Sequence, residues 1–233
     1  MQKQYKHIFF DLDRTLWDFE KSAIEAFESI FEKYNLKKLG IPSSGELHKK
    51  YTVHNNSLWE KYRNGEIDKE TLKWLRFHLT MNDFGIDDKT LADKVGEEYV
   101  KLSPVLVNLF PYAIEILEYL HKKGYSIHLI TNGFSEVQNV KLKVSGMEKF
   151  FKTVVTSEEA GVKKPLAGIF NYAFEKSGAN PRESIMIGDD YEVDILGAQR
   201  AGMNQILFDP HENYNGVEVT YKIKNLKEIE TIL

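Results

Sequence analysis

Two aspartates at the end of an apolar segment are the residues of this chain best suited to chemistry. Residues 8–10 are Ile-Phe-Phe, and Asp11 and Asp13 follow them two positions apart. Because alternate side chains of a strand point the same way, both carboxylates leave the strand end on one side. At that separation they repel each other, which raises at least one pKa unless a cation lies between them. The pair therefore suits a bound Mg²⁺ with one carboxylate free to attack, whereas the simpler interpretation is a solvated turn.

Three later segments also place polar side chains in turns, two of them after apolar strand patterns. They are Thr131-Asn132-Gly133 after the pattern of 126–131, Lys163-Lys164-Pro165, and Asp189-Asp190 with Asp194 after the pattern of 184–188. Each segment alone is typical of an ordinary loop. The four together, three of them at strand carboxyl ends, indicate one site.

In this order, the segments resemble the four motifs of the haloacid dehalogenase-like (HAD) hydrolases, and they span nearly the whole chain. Residues 11–20 add a narrower resemblance, and so does Thr131-Asn132-Gly133-Phe134 with Val137-Gln138 and Lys141-Leu142. These stretches are similar to the bacterial 5′-nucleotidases that act on pyrimidine and non-standard nucleoside monophosphates. The resemblance implies a Mg²⁺-dependent phosphatase that forms an aspartyl-phosphate intermediate.

The resemblance also implies roles for the acidic residues. Asp11 is the expected nucleophile, a choice that the spacing alone leaves open between the two aspartates. Asp13 is expected to protonate the leaving oxygen and later to accept a proton from water. The implied magnesium ligands are Asp11, Asp13 through its backbone carbonyl, and Asp189, since oxygen donors suit Mg²⁺. Asp194 is expected to orient a lysine or a metal-bound water, while Asp190 has no assigned role.

The phosphate group is expected to meet three further residues. The hydroxyl of Thr131 and the backbone N–H groups of the turn at Asn132 would bind its oxygens. Lys164 would pair with Asp11 and the phosphate, and it is preferred to Lys163 because the family's lysine directly precedes the proline. The simpler interpretations are a threonine that caps a helix and a pair of surface lysines.

Two residues near the first motif bear on substrate choice. Trp17 follows the catalytic turn, where it could stack on a nucleobase or pack at a hinge. Arg14 stands where the wider family commonly has glycine, so its side chain could reach the mouth of the site or lie in solvent.

The pattern along the chain predicts an α/β fold. From about residue 110 onward, helical patterns alternate with short apolar strands, and glycines follow the helices. This predicts a Rossmann-like doubly wound parallel sheet, whose ligands bind beyond the strand carboxyl ends. Residues 17–105 show only helical spacing, which predicts an inserted α-helical cap domain between core segments 1–16 and 106–233.

Bulk properties restrict the function further. The chain has 233 residues, no cysteine and a net charge of −4. Without a basic excess, a nucleic-acid polymer is not an expected partner, and a small phosphomonoester is the expected substrate. The absence of a signal peptide and of long apolar runs predicts a cytoplasmic protein with no membrane contact. The alternatives are a phosphosugar phosphatase or mutase, and a non-catalytic scaffold or regulatory protein.

Overall fold

The structure, a computed structural model, describes residues 5–233 and contains two compact units. The core unit ends its first segment at Phe19 and resumes at Val107, and the helical unit is the intervening Glu20–Leu106. The cap predicted at 17–105 begins three residues before the helical unit and ends one residue earlier. Within the described residues, the helices lack the combination of length and apolar character that crossing a membrane requires.

The helical unit is built from four α-helices, and no strand occurs in this fully described segment. The helices are α1 (Phe19–Lys33), α2 (Ser44–Arg63), α3 (Lys69–Asn82) and α4 (Lys89–Leu102), with a 3-10 turn at Leu36–Leu39. Ser43, Asp68 and Asp88 precede α2, α3 and α4, and each side chain accepts a hydrogen bond from the backbone N–H three residues on. These caps fix where the helices begin.

The described part of the core unit contains one sheet of six parallel strands in the order β3-β2-β1-β4-β5-β6. The strands are β1 (His7–Phe10), β2 (Ser126–Thr131), β3 (Phe151–Thr156), β4 (Ser184–Gly188), β5 (Asn204–Phe208) and β6 (Tyr221–Ile223). The chain builds outward from β1 to β3, then returns beside β1 and builds outward to β6. The predicted doubly wound α/β fold is thus confirmed.

Helices and short turns connect the strands. They are α5 (Ala113–Lys122), α6 (Ser135–Val144), α7 (Ser157–Ala160), α8 (Ala167–Ser177) and α9 (Leu196–Arg200), with 3-10 turns at Glu148–Phe150, Pro181–Glu183 and Leu226–Thr231. A π-helical turn, Tyr191–Ile195, directly precedes α9.

The sheet is buried on both faces because successive side chains of each strand point to opposite sides. In β1, Ile8 and Phe10 belong to one apolar cluster, together with Leu117 of α5. Phe9 belongs to a second cluster, together with Phe170 of α8. This packing holds β1 in the middle of the sheet with neighbours on both sides.

The middle of the sheet brings the sequence motifs together. Phe10 pairs with Leu129 of β2 on one side and with Ile187 of β4 on the other. Asp11 follows β1, Thr131 ends β2 and Asp189 follows β4. Because parallel strands end at the same edge, these three residues share one edge of the sheet, as predicted for ligand binding.

Candidate active site

A buried lysine lies at the centre of this edge. Lys164 is 1% exposed, and its Nζ lies 2.5 Å from Asp11 Oδ1, 2.6 Å from Asp194 Oδ1 and 2.8 Å from the carbonyl oxygen of Ile130. All three N–H groups of the ammonium are therefore used. Burial alone would lower the pKa of Lys164, but the two carboxylates raise it above its ordinary value. The lysine is thus held as a cation against Asp11.

The side chain of Asn132 holds the backbone of Lys164. Its Nδ2 donates to the Lys164 carbonyl oxygen at 3.0 Å, and its Oδ1 accepts from the Lys164 N–H at 2.8 Å. Its side-chain amide therefore positions Lys164, a role that the sequence did not indicate. The expected use of the backbone N–H groups in this turn to bind phosphate stays a prediction.

Thr131 is buried at the end of β2, and its Oγ1 accepts a hydrogen bond from the Gly133 N–H at 3.0 Å. This bond shapes the turn that follows the strand. The hydroxyl proton is still available to donate, as binding a phosphate oxygen would require.

Three carboxylates at this edge could hold a metal ion. Asp11, Asp189 and Asp194 each offer an oxygen, and the three atoms lie within 4.8 Å of one another. Burial raises the pKa of Asp11 to about 7, against the opposing effect of Lys164, and raises that of Asp189 well above its usual value. The neighbouring carboxylates add to the rise in both pKa values, because the cluster holds three acids and one lysine. The donor set and its charge therefore fit Mg²⁺, which prefers oxygen ligands.

Three neighbours fix the acids in place. Asp190 Oδ1 accepts from two backbone N–H groups of the π-helical turn, and its own N–H donates to Asp194 Oδ2 at 3.2 Å. Gly188 allows Asp194 to approach, since a Cβ at this position would lie 2.4 Å from Asp194 Oδ2. The Thr15 hydroxyl donates to Asp189 Oδ1 at 3.2 Å. Asp194 also contacts Lys164, and the orienting role expected from the sequence stays a prediction.

The carboxylate of Asp13 is bound by two residues of α6. Gln138 Nε2 donates to its Oδ2 at 2.9 Å, and the Lys141 ammonium forms a short ion pair with its Oδ1. Burial would raise the pKa of Asp13, but Lys141 and Gln138 hold it below its ordinary value. The sequence motifs indicated no role for either α6 residue. The sequence signal that could have identified them is their spacing of three residues, which places both side chains on one face of the helix.

Trp17 and Arg14 lie in the turn after Asp13. Trp17 is 0% exposed, and the Lys141 ammonium lies 5.2 Å from its ring centroid. This burial favours the packing interpretation and gives no support to base stacking. Arg14 has a left-handed backbone with φ of 67°, a conformation that favours glycine, and its guanidinium lies 4.7 Å from the Phe19 ring centroid.

Known proteins are similar to this chain over nearly its whole length. The family model described as haloacid dehalogenase-like hydrolase matches residues 8–208. The chain belongs to the haloacid dehalogenase-like hydrolases. The resemblance stated from the sequence is therefore confirmed, and the site just described lies within the matched residues.

Relatives of this hydrolase align over nearly their whole length. Pyrimidine 5′-nucleotidase YjjG of Escherichia coli (strain K12) is 32% identical, covering 97% of this chain and 96% of that protein. Glyceraldehyde 3-phosphate phosphatase of Methanothermobacter thermautotrophicus is 34% identical, and the alignment covers 96% of this chain and 99% of that protein. The magnesium-bound crystal structure of the HAD-hydrolase YfnB from Bacillus subtilis has a TM-score of 0.89 and 27% identity, covering 99% of both chains. Family and relatives identify the chain as a phosphoric monoester hydrolase.

Proposed function

We propose that this enzyme is a Mg²⁺-dependent phosphatase that hydrolyses nucleoside 5′-monophosphates, with pyrimidine or non-standard bases, through an aspartyl-phosphate. The observation that carries the chemistry is the contact of Lys164 with Asp11 beside a cluster of buried carboxylates. A phosphomonoester dianion repels an anionic nucleophile, so its hydrolysis requires positive charge at this position.

Asp11 and Asp189 would hold the metal together with the backbone carbonyl of Asp13, while Asp194 holds Lys164. When bound, Mg²⁺ supplies positive charge to the phosphoryl oxygens and neutralises the crowded acids. Lys164 adds a fixed positive charge next to the nucleophile, and Thr131 donates its hydroxyl proton to a phosphoryl oxygen.

The reaction has two steps in which the phosphoryl group moves onto Asp11 and then to water. The reaction begins with Asp13 in its acid form, after it has taken a proton from solvent. First, a carboxylate oxygen of Asp11 attacks phosphorus, the bond to the leaving oxygen breaks with its electrons on that oxygen, and this oxygen takes the proton from Asp13. Second, water attacks phosphorus and gives a proton to Asp13, and the bond to Asp11 breaks with its electrons on the carboxylate. Both aspartates thus return to the state in which the reaction began.

The substrate assignment is supported by similarity to the pyrimidine 5′-nucleotidase YjjG, together with the stretches at 11–20 and 131–142. The glyceraldehyde 3-phosphate phosphatase, of similar identity, favours a sugar phosphate as the second candidate. We assign the helical unit the role of a cap that selects the leaving group and excludes water.

The proposal is tested by phosphate release from pyrimidine, purine and sugar monophosphates, with Mg²⁺ and with EDTA. We expect Mg²⁺-dependent release that favours pyrimidine nucleotides and is abolished in Asp11→Asn. Asp87→Asn is a matched control, since it makes the same change on a side chain that is 91% exposed. Preference for sugar phosphates would overturn the substrate class alone. Substantial release by Asp11→Asn would overturn the nucleophile assignment.

A further inference from the structure

The ion pair between Asp13 and Lys141 is unusual because its lysine side chain is almost completely buried. The Lys141 side chain is 3% exposed, and the Asp13 side chain is 24% exposed. A buried ammonium loses its hydration, so it persists only where its surroundings replace water. The proposed phosphatase reaction assigns no task to this lysine, although its cation meets the residue expected to transfer protons.

Aromatic rings complete the surroundings of Lys141. Its Nζ lies 5.2 Å from the centroid of Trp17 and 5.6 Å from that of Phe19, within the range of cation–π attraction. Trp17 follows the turn after Asp13, and Phe19 begins α1. The segment from Asp13 to Phe19 therefore provides the carboxylate and the aromatic rings that together fix the ammonium in one place.

Gln138 holds the other oxygen of Asp13 and is equally buried. Its Oε1 is also buried and has no hydrogen-bond partner within the described residues. The amide orientation follows from the resting carboxylate of Asp13, which accepts and cannot donate.

Gly133 makes room for this amide. A Cβ at Gly133 would lie 1.7 Å from Gln138 Nε2 and 2.6 Å from its Cδ, distances that no packed structure tolerates. The turn after β2 is expected to bind the phosphate, and its glycine also leaves the space in which Gln138 contacts Asp13.

We propose that Lys141 and Gln138 are positioning residues for Asp13, each holding one carboxylate oxygen so that the remaining lone pairs serve proton transfer. This proposal rests on the proposed function, because it concerns the proton that passes between Asp13, the leaving oxygen and water. A carboxylate oxygen accepts at two lone pairs, so one hydrogen bond to each leaves one position on each. A carboxyl group free to rotate would lose this alignment.

The test is a double-mutant cycle in single-turnover kinetics with Mg²⁺. The probes are phenyl phosphate and p-nitrophenyl phosphate, which have similar shapes but differ in how strongly the leaving oxygen needs a proton. The variants are Lys141→Met and Asp13→Asn, singly and combined, with Lys143→Met as a matched control on the exposed face of α6. Circular dichroism and thermal unfolding report whether each variant folds.

We expect Lys141→Met to lower the rate on phenyl phosphate roughly 10- to 100-fold, as when a hydrogen bond to a charged group is lost. The loss on p-nitrophenyl phosphate should be smaller, and KM should stay near the wild-type value. In the Asp13→Asn background, Lys141→Met should add little, since both changes remove the same function.

Two results would overturn the positioning role. Losses that multiply in the double variant would mean that Lys141 acts independently of Asp13, and a change confined to KM would mean that it binds the phosphate directly. If Lys141→Met does not fold, Gln138→Leu replaces it in the double-mutant cycle with Asp13→Asn, and its results are interpreted in the same way. A fully active Asp13→Asn would instead refute the proposed function, so the two failures are distinguishable.

Discussion

Replacing Gly133 by alanine changes the surroundings of Asp13 with one methyl group. The backbone at Gly133 is outside the left-handed region, so alanine fits its conformation. The new Cβ would lie 1.7 Å from Gln138 Nε2 and 3.0 Å from its Cγ, whereas ordinary contacts begin near 3.4 Å. The amide must therefore move so far that its hydrogen bond to Asp13, which is 2.9 Å long, breaks.

The size of the effect follows from the bond that is lost. A hydrogen bond to a charged group contributes about 1.5–3 kcal/mol. If that energy aligns Asp13 for proton transfer, its loss corresponds to roughly a tenfold to hundredfold decrease in kcat. Asp11, Lys164 and the acid cluster are not displaced by the methyl group, so the nucleophile should remain competent.

The assay compares kcat and KM on phenyl phosphate and p-nitrophenyl phosphate for Gly133→Ala, Gln138→Ala and the double variant. We expect the double variant to match Gln138→Ala, because the obstacle has been removed with the amide. Gly45→Ala is the matched glycine control, since a Cβ there has no neighbour closer than 3.8 Å. A wild-type kcat for Gly133→Ala on both substrates would refute the reasoning.

Three further predictions concern charge and the metal site. Lys164→Met leaves two buried carboxylates uncompensated, so urea unfolding in EDTA should show a loss of roughly 3 kcal/mol; unchanged stability would contradict the central role of the ion pairs. Burial, and then the charge of His7, lowers the pKa of His128 to about 4. Below about pH 6.5, the unfolded chain therefore binds a proton at His128 that the folded chain does not bind. The free energy of unfolding should fall by up to about 3 kcal/mol between pH 6.5 and 4, and His128→Leu should reduce this pH dependence. Asp189→Asn removes a proposed metal ligand, so MgCl₂ should no longer raise the unfolding temperature; a wild-type shift would count against the metal site.

Local patterns in the sequence determined the elements of the core and the edge where the site lies. The strands predicted at 126–131 and 184–188 are observed with those bounds, because buried parallel strands are short apolar runs. The same patterns placed Asp11, Thr131 and Asp189 at strand ends, and parallel strands necessarily share that edge. The order of the motifs was therefore sufficient to predict both fold class and family. The catalytic roles of these residues stay predictions.

Only the tertiary structure decided which side chains meet there. Asp13 and Lys141 are 128 positions apart, and their contact depends on how α6 is rotated against the turn after β1. The burial of Trp17, the bonds from Asn132 to Lys164 and the space that Gly133 leaves for Gln138 depend in the same way on packing. Periodicity shows which face of an element is buried, but the partner of a buried polar group depends on elements distant in sequence. For that reason the chain alone indicated the acids of the site, while the residues that hold Asp13 were found only in the folded protein.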